Sequence, residues 1–182
     1  MFVDVAVYVL VDVDGFERSM IRSAKEKICS REQAKRRVED WKRAGEKVVF
    51  TNGCFDLLHP GHVQYLQKAR SLGDRLVVAM NDDASVRKIK GAGRPVQPAP
   101  ERAELLAALA AIDLVTLFAE VDPYNIIREL LPDILVKGAD WPVDQIIGHD
   151  LVEAAGGKVM QIQFEPGYST TQLIETIRKN FS

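Results

Sequence analysis

Two of the three histidines in the chain, His59 and His62, stand three residues apart in the run Thr51-Asn52-Gly53-Cys54-Phe55-Asp56-Leu57-Leu58-His59-Pro60-Gly61-His62. Imidazoles at that spacing suit three tasks: ligating a metal, capping or packing a helix, or donating N–H groups to an anion. A metal site needs three or four converging ligands. Cys54 is a ligand type and His149 is the one further histidine, so no metal-ligating set is expected. The residues favour an anion site, in which ring N–H donors face phosphate oxygens.

The surrounding pattern says what must position the two rings. Lys47-Val48-Val49-Phe50 reads as a short buried strand, and Val63, Leu66 and Ala69 fall on one face of a following helix. The histidines therefore sit where a strand hands over to a helix, the crevice in which open α/β sheets bind ligands. A helix N-terminus adds unpaired N–H groups and a positive dipole end. Gly53 and Gly61 allow close backbone approach there.

Three further clusters have residue types suited to phosphate. Gly167-Tyr168-Ser169-Thr170-Thr171-Gln172 opens the last helix; Ser169 and Gln172 make a capping box, and the hydroxyls of Ser169, Thr170 and Thr171 equally suit phosphate oxygens. Lys88-Ile89-Lys90-Gly91-Ala92-Gly93-Arg94 brackets glycines with cations, as a solvated loop or a phosphate clamp would. It has the spacing of neither a Walker loop nor a dinucleotide fingerprint. Lys137 ends the fourth strand on the same sheet edge as His59, with Trp141 just beyond as packing. Arg102, early in an Ala/Leu-rich helix, reads as a surface or interface residue.

The Asn-Gly-x-Phe-Asp-x-x-His-x-Gly-His run resembles the signature of the His-x-Gly-His nucleotidylyltransferases. These enzymes move a nucleotidyl group from a nucleoside triphosphate to a phosphorylated acceptor and release pyrophosphate. Gly167 to Gln172 resembles the family's second signature, Ile-Ser-Ser-Thr-x-x-Arg, with Tyr168 in place of the Ile and Ile174 in place of the Arg. Arg94-Pro95-Val96, Leu135-Val136-Lys137-Gly138 and Phe164-Glu165-x-Gly167 are most similar to the members that act in heptose 1-phosphate activation. The resemblance covers Ser30 to Lys179.

The resemblance implies AMP transfer from ATP to D-glycero-D-manno-heptose 1-phosphate, giving ADP-heptose for lipopolysaccharide core or surface glycans. His59, His62 and Lys137 are then the catalytic residues. Asn52, Gly53, Cys54, Phe55, Gly61, His62, Ser169, Thr170 and Thr171 hold the nucleotide, and Asp56, Lys88, Lys90 and Arg94 hold the acceptor. Mg²⁺ arrives on ATP, because no carboxylate cluster forms a cage for it. A homodimer is implied, without nucleic acid or membrane partners. Two rivals stand beside this reading: a cytidylyltransferase acting on glycerol 3-phosphate or a similar alcohol phosphate, and a non-catalytic nucleotide-binding protein on the same fold.

The rest of the chain fits one such domain. Strand patterns at Val48–Thr51, Leu76–Met80, Leu114–Phe118, Ile134–Val136 and Val159–Gln163 alternate with helical ones. They predict an α/β, Rossmann-like, doubly wound, five-stranded parallel sheet in three α/β/α layers. Helices are expected at Val63–Ser71, Asp83–Ile89, Glu101–Ala111, Pro123–Leu130, Gly148–Ala155 and Thr171–Asn180. Another begins at Ser30, with Gln33 completing a capping box and Ala34, Val38 and Trp41 as its buried stripe. The domain is thus expected over 30–182, with 1–29 a leader or arm of unassigned role. That leader holds a valine-alternating strand pattern over Met1 to Asp14 and a short helix over Ser19 to Lys27. It is too short to hold the sugar kinase often fused to such domains, so a stand-alone transferase is expected. A net charge of −2 gives no reason to expect nucleic acid as the main partner. Two cysteines, no long apolar segment and no basic n-region fit a cytoplasmic protein.

Overall fold

The computed structural model describes residues 23–139, 142–163 and 167–181. The valine pattern of the leader, Trp141 and the Phe164-Glu165 pair lie outside them. Five parallel strands form one sheet: β1 (Val48–Gly53), β2 (Arg75–Asn81), β3 (Leu114–Phe118), β4 (Ile134–Gly138) and β5 (Lys158–Ile162). Their spatial order is β3-β2-β1-β4-β5. The chain winds outward from β1 to β3, returns to the far side of β1, and winds outward again. The switch point therefore falls between β1 and β4, where connections leave in opposite directions and open a crevice.

The strands are near-continuous apolar runs because both faces are covered. Side chains alternate between two cores. Val49, Leu76, Val78, Met80, Val115 and Val136 face one, and Val48, Phe50, Val77, Ala79, Leu114 and Leu135 face the other. The first core is closed by α3 (Pro60–Arg70) and α5 (Ala99–Ala108), the second by α2 (Arg31–Arg43), α6 (Tyr124–Leu130) and α7 (His149–Ala154). Fully buried side chains such as Phe50 and Leu66 each contribute about 1.5–3 kcal/mol by leaving water.

Local rules explain the helix ends. Ser30 accepts from the Gln33 amide, and the Gln33 side chain returns the bond to the Ser30 amide, so the expected capping box starts α2. Trp41 packs at the edge of the second core, with the Arg75 guanidinium 5.4 Å above its ring. Asp82 caps α4 (Asp83–Lys90) through the Ser85 amide. Two starts and one stop differ from expectation by more than one residue. α3 begins at Pro60 and α5 at Ala99, with Pro60 and Pro100 in their first turns, where a missing N–H costs nothing. α5 ends at Ala108, because Leu109 turns to extended backbone. On α3 it is Tyr65, rather than Val63, that is buried beside Leu66 and Ala69.

The last residues before the expected domain start pack onto it. A short helical turn, α1 (Ala24–Lys27), lies against α5. The Cys29 amide donates to Val115 O at 3.0 Å, and Ile28 forms a parallel bridge with Val115 at the β3 edge. The last helix, α8 (Thr170–Phe181), contributes no buried residue. No helix among the described residues is long and apolar enough to cross a membrane.

Candidate active site

Pairing between β1 and β4 is confined to Val49–Ile134 and Phe50–Leu135, whereas β1 and β2 pair along six residues from Val48–Arg75 to Gly53–Met80. Beyond Phe50 the central strands therefore diverge. Tyr65 fills the wedge: its hydroxyl lies 2.8 Å from Thr51 Oγ1 on β1 and donates to Val136 O on β4 at 3.2 Å. Lys137 Nζ reaches Asn52 O at 3.5 Å across the same gap. Above this floor opens a cavity of about 630 Å³.

His59 and His62 both line it. Their rings stack, with centroids 3.8 Å apart and planes 22° from parallel. His59 occupies the N-cap of α3, yet its side chain makes no capping hydrogen bond. Nδ1 of each ring is buried without a protein partner. A buried polar atom left so costs about 1–3 kcal/mol, and such exceptions call for a functional reason. Gly61 lies between the two histidines for a steric reason: a Cβ there would sit 3.0 Å from Tyr168 Cβ and 3.1 Å from the His59 ring. Gly61 itself is buried and does not line the cavity.

Burial pushes the His62 pKa down to about 4, with the neighbouring His59 acting in the same direction, and burial also lowers that of His59. Both rings are therefore neutral at pH 7, each with one N–H donor and one acceptor nitrogen. The unfolded chain takes up protons near the ordinary value of 6.5, so it binds more protons than the folded chain between the two values. Stability is thus expected to be full above about pH 6.5 and to fall as the pH drops toward about 4. Melting curves across that range check this: His62→Asn should flatten the slope, and an unchanged slope would contradict it.

The structure brings most of the expected site residues to the cavity wall. Asn52, Gly53, Cys54 and Phe55 come from the end of β1, Lys137 from β4, and Ser169, Thr170 and Thr171 from the start of α8. Ser169 Oγ accepts from the Gln172 amide at 3.1 Å, so it caps α8 while facing the cavity. Two helix N-termini, of α3 and α8, thus meet at one space. The Tyr168 ring lies nearly parallel to that of His59, with centroids 6.2 Å apart.

The acceptor-side expectations divide. Lys90 and Arg94 line the cavity, while Lys88 is exposed on α4 and is not among the lining residues. Asp56 lines it too, but its carboxylate is engaged. Oδ1 accepts from the Val96 and Gln97 amides at 2.7 and 3.0 Å, and Oδ2 pairs with the Arg94 guanidinium. Those bonds outweigh burial and hold its pKa below the usual carboxylate value. Asp56 clamps the 94–97 loop in place of offering oxygens to a ligand. Among the described residues no three His, Cys, Asp or Glu side chains come together to hold a metal, and His149 lies with Nδ1 2.9 Å from Ile146 O.

Arg102 is the clearest departure. It is neither a surface nor an interface residue; its side chain is fully buried. It donates to the carbonyls of Cys54, Asn81 and Gln97 and to the Asp83 carboxylate at 2.6 Å. One guanidinium thereby ties the loop after β1 to the end of β2, the start of α4 and the 94–97 loop. Tyr65, Asn81 and Asp122 also line the cavity without having been singled out. Of these, Tyr65 alone carried a signal, as a hydroxyl on a core-facing helix position.

A crevice at the switch point of a parallel sheet, with a neutral His-x-Gly-His pair and two helix N-termini, has the chemistry to hold phosphate groups. Residues 50–176 match the family model described as cytidylyltransferase-like. The chain belongs to that family, the nucleotidylyltransferases with a His-x-Gly-His signature, and is an enzyme that transfers a nucleotidyl group. It is 57% identical over 143 residues to the bifunctional protein HldE of Gluconobacter oxydans (strain 621H), which covers 79% of this chain and 30% of that protein. It is 50% identical over 158 residues to the bifunctional protein HldE of Rhodopseudomonas palustris (strain BisB5), covering 86% of this chain and 32% of that one. The chain spans about a third of the length of the curated relatives it matches. Among solved structures, a lipopolysaccharide core biosynthesis protein from Thermoplasma volcanium GSS1 aligns with a TM-score of 0.56 and 30% identity, over 69% of this chain and 100% of that one. A pantoate–β-alanine ligase from Francisella tularensis, at 16% identity and a TM-score of 0.54 over 85% of this chain and 73% of that one, shares the fold.

Proposed function

We propose that this chain transfers AMP from ATP to D-glycero-D-manno-heptose 1-phosphate, giving ADP-heptose and pyrophosphate. The observation that carries the transfer chemistry is the stacked, neutral His59–His62 pair lining one cavity with Ser169, Thr170 and Thr171. The heptose acceptor is supported by the 50–57% identity to the HldE proteins and by the sequence elements described above.

The reaction follows from that arrangement. An oxygen of the acceptor's phosphate attacks the α-phosphorus of ATP, and the bond from that phosphorus to the bridging oxygen of the β-phosphate breaks. Pyrophosphate leaves with the electron pair. The attacking oxygen is already ionised at neutral pH, so no base is needed to activate it. Negative charge grows on the α-phosphoryl oxygens and on the leaving group, where fixed N–H donors and cations stabilise it. His59 and His62 supply the donors, Ser169 to Thr171 and the α8 N-terminus hold the outgoing phosphates, and Lys137 adds a cation. Mg²⁺ enters as part of the MgATP substrate. Lys90 and Arg94, on the β2 side of β1, are placed to hold the acceptor's phosphate.

Isotopic labelling tests where the bond breaks. Label in the α-phosphate of ATP is expected in the sugar nucleotide, and label in the γ-phosphate in pyrophosphate. Label from the γ-phosphate appearing on the sugar would mean phosphoryl transfer and would contradict the proposal.

A further inference from the structure

Among the described residues two carboxylates line the cavity, and with Asp56 engaged by the 94–97 loop the other, Asp122, has no part in the transfer chemistry. Asp122, in the loop between β3 and α6, lines the cavity and forms no ion pair among the described residues. A phosphate-binding site has reason to exclude such a group, because it repels every anion there. Its presence marks a part of the cavity meant for neutral, hydrogen-bond-donating atoms.

Topology says which part. The strand order places β4 and β5 on one side of β1 and β2 and β3 on the other. The α8 hydroxyls and Lys137 belong to the first side. Lys90 and Asp122 leave from β2 and β3, on the second. Asp122 therefore shares a half of the cavity with the cation placed to hold the acceptor's phosphate.

The loop is also pinned. Asn81, buried at 3% exposure, donates to Glu120 O at 3.3 Å. Arg31 pairs with the Glu120 side chain at 2.7 Å, and the Ala119 amide donates to the other Glu120 oxygen at 3.2 Å. Asp122 itself accepts from the Tyr124 amide through Oδ1 at 2.9 Å, which fixes its rotamer at the start of α6. A carboxylate so held is preorganised, and preorganisation raises affinity by lowering the ordering cost of binding.

The geometry points to Asp122 as a specificity residue that accepts hydrogen bonds from ring hydroxyls of the phosphorylated acceptor. This rests on the sugar-phosphate reading and adds to it the residue that tells a polyhydroxylated acceptor from a small alcohol phosphate. Asp122 is solvent-exposed at the cavity wall, and a carboxylate there accepts from hydroxyls in charge-assisted bonds that an acceptor lacking those donors cannot make.

Steady-state kinetics with Asp122→Ser and Asp122→Asn test it. Both replacements keep a cap acceptor for the Tyr124 amide, and melting temperatures show whether each folds like the parent. Asp122→Ser is too short to reach a ligand and is expected to raise the KM for heptose 1-phosphate about tenfold or more, with the KM for ATP unchanged. Asp122→Asn should fall between the two. An unchanged acceptor KM in folded Asp122→Ser, with the parent enzyme active, overturns the inference alone. A parent that turns over no sugar 1-phosphate, yet accepts an alcohol phosphate, overturns both the inference and the reading beneath it.

Discussion

Replacing His62 with Ala is expected to lower turnover by about 10²–10³, or roughly 3–4 kcal/mol in the barrier, while the KM for ATP changes little. A donor aimed at the reacting phosphate acts mostly after binding, because the charge it stabilises grows in the transition state. The ring is neutral at pH 7, so it works as a fixed hydrogen-bond donor and needs no proton uptake. Loss of the side chain also opens space beside Phe55, whose ring centroid lies 5.4 Å away, so circular dichroism and melting must first show a folded protein. His62→Asn retains a donor of shorter reach and should recover part of the rate. His59→Ala should behave like His62→Ala. The bland alternative for His59, a helix cap, is weakened by the absence of any side-chain capping bond. Near-parental turnover in folded His62→Ala would make the pair structural.

The second large effect is expected away from the ligand. Arg102→Met should destabilise the fold by about 3–5 kcal/mol, since it leaves buried carbonyls and the Asp83 carboxylate without their partner. For a domain of this size that corresponds to a drop in melting temperature on the order of 10 °C. Turnover should fall as well, because the Cys54 carbonyl that Arg102 holds belongs to the loop between β1 and the histidines. Arg102→Lys should rescue little: a single ammonium cannot replace a planar fork that bonds carbonyls from three segments. Thermal denaturation of the two variants is the check, and an unchanged melting temperature would show that the network carries little stability.

What could be read from the chain follows from how local each feature is. The five strands were visible as apolar runs between amphipathic segments, and β3, Leu114–Phe118, has the bounds expected for it. His59 and His62 were legible because strand, glycines and histidines lie within one short run. Arg102 was not. A charged residue on a helix ordinarily faces solvent, and its carbonyl partners at Cys54, Asn81 and Gln97 carry no sequence label. The pairing of Asp56 with Arg94 was hidden similarly, since each residue was expected to hold the acceptor by itself and only the fold brings them together. The divergence of β1 from β4, on which the cavity depends, is a property of strand pairing that no single segment displays.

The central claim is tested most directly by pyrophosphate release with purified protein, MgATP or MgCTP, and either heptose 1-phosphate or glycerol 3-phosphate. Release is expected with ATP and heptose 1-phosphate, with ADP-heptose as the co-product by mass spectrometry. Release with CTP and glycerol 3-phosphate, and none with ATP and heptose 1-phosphate, would contradict the account.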